Sequence, residues 1–316
     1  MLVTALIIAS LALAFANGAN ANIKGVASLL GSGTASYSTV VRWGTLTTAA
    51  GCIAALLGTG ALLQAFSGRG LVPDEFATQP AFLLSAAAGA ALANLLATRL
   101  GFPVSTTHML LGGLIGAGLA AAPGSVDYEK LWSSFVKPLL LAPVVAVAVG
   151  AVMYLLLRAL KLAPDHRTRT LDALHFLSGG AVCFARGMND TPKMAALLVG
   201  TAGLAVQNSL LLVALCVTVG GLIGARQVAE TLAHKITDMN PGQGFAANLT
   251  TATLVLLGTF KGLPLSTTHV TVGSLLGIGI TTRQAKWATV VPVLLAWVIT
   301  LPCAALLAAV FYQVVS

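Results

Sequence analysis

GFPVSTTHMLLGGLIGAGL at residues 101–119 is written again as GLPLSTTHVTVGSLLGIGI at 262–280, with ten identities in nineteen positions and an offset of 161 (266 minus 105). FANGANANIK at 15–24 returns as FARGMNDTPK at 184–193, with five identities in ten positions and an offset of 169 (189 minus 20). The motifs follow the same order in both halves, so the chain is an internal duplication, a pattern shared by many transporter folds.

The rest of the composition says what kind of chain is duplicated. Hydrophobic residues make up 57% and charged residues 8%, and the mean hydropathy is +0.91. A soluble domain carries about 25% charged residues, so the coat that faces water is missing. That excludes a soluble enzyme, a nucleic-acid binder and a disordered tail. The net charge of +8 forms no Lys/Arg stripe with aromatic platforms, so no nucleic-acid partner is expected. Period-2 alternation is absent while Leu, Ala, Val and Gly run on, so the fold class is all-α and polytopic transmembrane. At roughly 20 residues per crossing the length allows about ten spans.

The dense basic segment Arg158, Lys161, Arg167 and Arg169 separates the halves. The positive-inside rule places it in the cytoplasm. We therefore read 1–160 as a first transmembrane repeat, 161–171 as a cytoplasmic basic linker and 172–316 as a second repeat. Spans are expected near 2–22, 44–66, 80–98, 104–122 and 138–160, then 174–203, 205–224, 245–260, 265–280 and 287–312. Arg42, Arg99, Arg226, Lys235, Arg283 and Lys286 then fall inside, and Asp74 and Glu75 outside. An odd number of crossings per half makes the two repeats inverted in topology.

Pro103 and Pro264 lack an N–H and sit beside glycines, so each is expected to break the chain and start a re-entrant half-helix. Ser105, Thr106 and Thr107, with Ser266, Thr267 and Thr268, then lie at helix N-termini where hydroxyls, free amides and the helix dipole favour an anion. Ordinary capping by the same hydroxyls is the competing reading. Gly112/Gly116 and Gly273/Gly277 read as helix-packing faces.

Charge inside a membrane is costly and usually functional. Asn189, Asp190 and Lys193 sit together around Pro192, and the first half offers Asn20, Ala21 and Lys24 in their place. Asn and Asp oxygens can serve a cation, whereas the lysines suit an anion. Asp190 and Lys193 can pair at i,i+3; Lys24 has no such neighbour in sequence. Both lysines could instead snorkel to an interface. Arg186, opposite Asn17 in the repeat, is either an anion contact or an edge anchor. His108 and His269 occupy equivalent places and read best as hydrogen-bonded structural groups, with proton transfer as the other role. One histidine per half gives no zinc site. The four cysteines are scattered through apolar stretches and read as core residues, neither disulfide nor metal ligand.

These paired Asn motifs and paired Pro-x-Ser-Thr-Thr-His segments resemble the inorganic phosphate transporter family (PiT), sodium- or proton-coupled phosphate symporters whose prokaryotic relatives include sulfate permeases. The resemblance spans roughly residues 10–310. It implies inverted repeats with discontinuous helices, often dimeric, in a cell membrane, here a prokaryotic plasma membrane, carrying phosphate at the midplane. By resemblance Asn20, Asn189 and Asp190 serve cation coupling and the Ser-Thr-Thr stretches cradle the anion; Lys24 and Lys193 join the anion side on their charge alone. No cofactor is implied beyond Na⁺ as a coupling ion, with H⁺ as the alternative. The family's Asn-Asp-x-x-Asn stands here as Asn-Ala-x-x-Lys and Asn-Asp-x-x-Lys. The lost carboxylate argues against two coupled sodium ions, and a lysine can replace a cation. It also keeps sulfate open as cargo, because sulfate needs donors alone while monohydrogen phosphate also needs an acceptor.

Other classes fare worse. A serine hydrolase needs one activated nucleophile with an oriented base, and the repeat offers two matched half-sites instead. A passive channel would not concentrate its cargo. ATP coupling lacks its phosphate-binding loop.

Overall fold

A computed structural model describes residues 1–316 except 59, 125, 165, 200–202 and 235–238, so the expected inner position of Lys235 lies outside the described residues. The first half runs α1 (Leu2–Ala21), α2 (Ala27–Gly31), α3 (Tyr37–Ala54), α4 (Gly60–Ala65), α5 (Asp74–Ala77), α6 (Pro80–Arg99), α7 (Thr106–Ala121), α8 (Tyr128–Leu131) and α9 (Lys137–Ala159). The second runs α10 (Arg169–Ala195), α11 (Val206–Gly224), α12 (Arg226–His234), α13 (Pro241–Phe260), α14 (Thr267–Thr281) and α15 (Trp287–Val315). Among the described residues the only β-structure is two isolated bridges. The fold is all-α.

Six helices are long and apolar enough to cross a membrane among the described residues: α1, α3 with its short extension to Leu57, α6, the continuous 128–159 stretch, α11 and α15. Of the others, α10 carries charge, α13 is long enough but diluted by Gln243, Asn248 and threonines, and the rest are short. α7 has 16 residues, about 24 Å of helix, which is less than the roughly 30 Å hydrocarbon core. α14 has 15. Both begin inside the protein after the non-helical stretches 100–105 and 261–266, as the prolines predict. The helices start three residues after the prolines themselves, because Ser105 and Ser266 are the caps.

Boundaries moved where caps overruled hydropathy. The span expected over 44–66 is instead α3 from Tyr37, because Ser36 accepts the Thr39 N–H. The span expected over 174–203 starts at Arg169 because Thr168 accepts from Leu171 N–H. Cys303, expected in the interior, is exposed on α15.

The halves exchange partners. α1 packs on α11, and α10 on α3; α7 packs on α15, and α14 on α9. Each helix–helix seam depends on glycine. A Cβ added to Gly116 would sit 1.9 Å from the Ala305 carbonyl oxygen, and one on Gly277 2.2 Å from that of Val147. These contacts are backbone against backbone, the close approach that small residues permit in membrane helices. The exchange brings the breaks 100–105 and 261–266 together with the C-terminal parts of α1 and α10.

Candidate functional site

A helix that stops at membrane depth leaves carbonyls and amides that must find partners inside the protein. Here polar side chains of both Asn motifs supply them. Asn20 Nδ2 donates to the Phe102 carbonyl at 3.0 Å and to Thr98 Oγ1 at 2.9 Å, while its Oδ1 accepts the Val104 N–H at 3.2 Å. Trp297 Nε1 donates to the Pro103 carbonyl at 3.2 Å. The Val104 carbonyl accepts from Lys24 Nζ at 2.7 Å and from Thr268 Oγ1 at 2.8 Å. In the second half Asn189 Nδ2 donates to Thr259 Oγ1 at 2.8 Å, and the Leu265 carbonyl accepts from Lys193 Nζ at 2.7 Å and Thr107 Oγ1 at 3.3 Å.

The two lysines are related by this exchange. Lys24 Nζ holds the carbonyl just before its own half's cap serine and donates to Thr268 of the other half at 2.6 Å. Lys193 Nζ does the same in reverse, reaching Leu265 O and then Thr107 Oγ1 at 3.0 Å. Lys193 also donates to Asn189 Oδ1 and to Asp190 Oδ1, the latter at 3.1 Å. Lys24 and Lys193 are 3% and 2% exposed, so neither snorkels to an interface.

Arg186 is buried at 1% exposure, which removes the edge-anchor reading. Its guanidinium donates to the side-chain oxygens of Asn17 and Asn22, and its Nε lies 3.6 Å from Asp190 Oδ2. Asn17 Nδ2 in turn donates to Asp190 Oδ2 at 3.2 Å and to Thr106 Oγ1 at 2.9 Å. Asp190 is thus bracketed by two cations and an amide.

Ser105 and Ser266 behave as caps: their Oγ atoms accept the His108 and His269 N–H groups, each at 3.2 Å. That satisfies one of the first-turn amides at each end, so the serines are tied to their own helices. Thr106 and Thr267 are buried beside them. The His108 and His269 rings hydrogen-bond to backbone carbonyls and not to the lysines. Their Nδ1 atoms lie 3.2 Å from the carbonyls of Trp297 and Leu139, their rings meet edge-on at 4.4 Å, and His269 stacks on Trp297 at 3.9 Å. They line an apolar cavity of about 380 Å³ with Leu111, Leu139 and Pro143.

Several polar residues escaped the sequence reading. Asn94 donates to Thr106 Oγ1 at 3.0 Å, and Asn22 receives Arg186. Thr98 and Thr259 stand at the same 161 offset as the serines, a repeat signal inside otherwise apolar helices. His175 is buried, with Nε2 2.9 Å from Ser28 Oγ, on a separate polar cluster.

A family model described as the phosphate transporter family matches residues 17–308. A protein of Rhizobium meliloti (strain 1021) named probable low-affinity inorganic phosphate transporter is 30% identical, over 78% of this chain and 77% of its own. One of the same name from Mycobacterium leprae (strain TN) is 29% identical over 98% of this chain and 77% of its own. A solved structure described as the sodium-dependent phosphate transporter superposes with a TM-score of 0.85 at 22% identity, covering 99% of this chain and 98% of that one. At that identity the likeness shows the shared fold.

Proposed function

This chain belongs to the phosphate transporter family, and from that premise we propose that it is a secondary carrier moving inorganic phosphate across a prokaryotic plasma membrane, driven by an ion gradient. One observation supports this above the others. Lys24, Arg186 and Lys193 against Asp190 are the buried charged side chains among the described residues, so three cations less one carboxylate leave two positive charges. Uncompensated charge at membrane depth costs several kcal/mol, and a divalent tetrahedral oxyanion balances this pair. Monohydrogen phosphate fits the charge, and the relatives' names favour it.

In this reading Lys24, Lys193 and the hydroxyls of Thr106, Thr107, Thr267 and Thr268 bind the anion. Ser105 and Ser266 fix the turns that carry them, and Arg186 with Asn17 orients Asp190. Asn20, Asn189 and Asp190 form the cation side of the site. His108 and His269 take no part in binding and hold the two half-helices together on an apolar seam. The two repeats insert in opposite orientations, so the turns meet near the bilayer centre. Sulfate has the same charge and shape and is the competing cargo.

Uptake of labelled phosphate into proteoliposomes tests the proposal. Flux should saturate, accumulate against the phosphate gradient under an imposed ion gradient, and compete with arsenate more strongly than with sulfate or molybdate. Flux that only equilibrates would point to a channel, and stronger competition by sulfate would reassign the cargo.

A further inference from the structure

Resemblance to the family raises sodium as a coupling ion, and the residues can be tested for it. A free sodium ion in a membrane site is held by carboxylate, amide and hydroxyl oxygens and by carbonyls freed at a helix break. That set exists here: Asp190 Oδ1, Asn189 Oδ1, Thr107 Oγ1 and the Leu265 carbonyl converge on one point. The point is taken by the Lys193 ammonium. In the first half Lys24 takes the matching place, between the Val104 carbonyl and Thr268 Oγ1. Position 21, which corresponds to Asp190, is alanine. A sodium ion does not fit either place.

We propose that Lys24 and Lys193 are tethered counter-cations standing where a transported sodium ion would otherwise sit, so that this carrier moves its anion without sodium. The inference rests on the oxyanion reading above and goes beyond it. The missing carboxylate is its second support. A mobile cation needs negative charge to stay in a buried site, whereas an ammonium on a covalent stem is retained without one. The half that lost its carboxylate is therefore the half in which a tethered cation is indispensable. The exchange pattern is the third support: each ammonium bridges its own half's break to the other half's second threonine, so it also replaces the cross-linking that a shared ion would give.

The test uses the full chain in proteoliposomes. Phosphate uptake by the wild type should be unchanged when choline replaces Na⁺, and ²²Na⁺ should not accumulate with phosphate. Lys193→Ala should lose at least about tenfold in uptake rate in choline, and added Na⁺ should restore it saturably, because the oxygen shell now has room for the ion. Lys193→Met, which fills that room without charge, should be equally slow and should not respond to Na⁺. Sodium-dependent uptake or ²²Na⁺ co-accumulation in the wild type would overturn the inference, and these measurements stand if the variants fail to fold. A folded Lys193→Ala protein that Na⁺ does not rescue would overturn it as well. Absence of phosphate flux by the wild type in either medium would instead overturn the oxyanion reading.

Discussion

The two Asn motifs occupy equivalent places and solve the same problem with different charge. In the second, Lys193 shares its proton donors among four oxygens, one of them a carboxylate. In the first, Lys24 has a carbonyl and a hydroxyl, and among the described residues no carboxylate approaches its ammonium within ion-pair distance. Motif two sets two cations, Arg186 and Lys193, around the Asp190 carboxylate and keeps one net positive charge inside a hydrogen-bonded network. Motif one leaves the Lys24 charge without a carboxylate beside it, and in the function proposed above the bound anion balances it. The two copies share one hydrogen-bond scaffold, and alanine at position 21 leaves the pair with net positive charge, which suits the anion proposed above.

The sharpest way to break this comparison is to neutralise the one acid. Asp190→Asn leaves Arg186 and Lys193 facing each other without a carboxylate, and stripping one partner from a buried pair costs about 3–5 kcal/mol. Thermal unfolding in detergent should show a large drop in midpoint, with uptake lost. A small shift would mean that Asn17, Asn189 and the two breaks already satisfy both cations.

Making the halves alike is the second test. Ala21→Asp restores a carboxylate three residues before Lys24, the spacing at which Asp190 meets Lys193. The buried net charge falls from two to one. Ala21 is 1% exposed, so the larger side chain must be accommodated, and Ala21→Asn is the control that carries the same bulk. Relative to Ala21→Asn, the aspartate should raise the KM for phosphate about tenfold, the equivalent of about 1.4 kcal/mol of lost attraction. Equal KM values for the two variants would mean that charge at position 21 does not reach the anion.

How much of this was legible in the sequence depends on what sort of signal each residue carried. The all-helical fold, the duplication and the broken helices were readable because Pro103, Pro264 and the Ser-Thr-Thr-His runs leave a local chemical mark twice. Lys24 and Lys193 stood out because charge is rare in such a chain. Their partners were not readable. That Lys24 meets Thr268, 244 positions away, is a product of helix exchange between halves, which no local pattern encodes. Asn94 is a single polar residue in an apolar run, and only the packing of α7, which sets Thr106 against it, shows what it serves. Arg186 had two readings in sequence and one in the fold, because burial decides between an edge anchor and an interior donor. The helix ends at Tyr37 and Arg169 were misjudged for the opposite reason: hydropathy averages over a window, whereas a cap is one side chain and one N–H.

The smallest test asks whether the scaffold itself is as symmetric as the charges are not. Ser105 has φ −95° and ψ 109°, and Ser266 has φ −93° and ψ 113°. Each accepts one N–H three residues on, from His108 and His269, at the same 3.2 Å. Losing a serine cap costs about 1 kcal/mol, and with this geometry the loss should be the same at both ends. Ser105→Ala and Ser266→Ala should therefore lower the unfolding midpoint by equal small amounts and leave the preference for a divalent anion intact, since neither changes the buried charge. If Ser105→Ala proves clearly the more damaging, the half with the unpaired lysine is held together by its cap as well as by its charge. The two motifs would then differ in mechanics, and the comparison drawn from electrostatics alone would be incomplete.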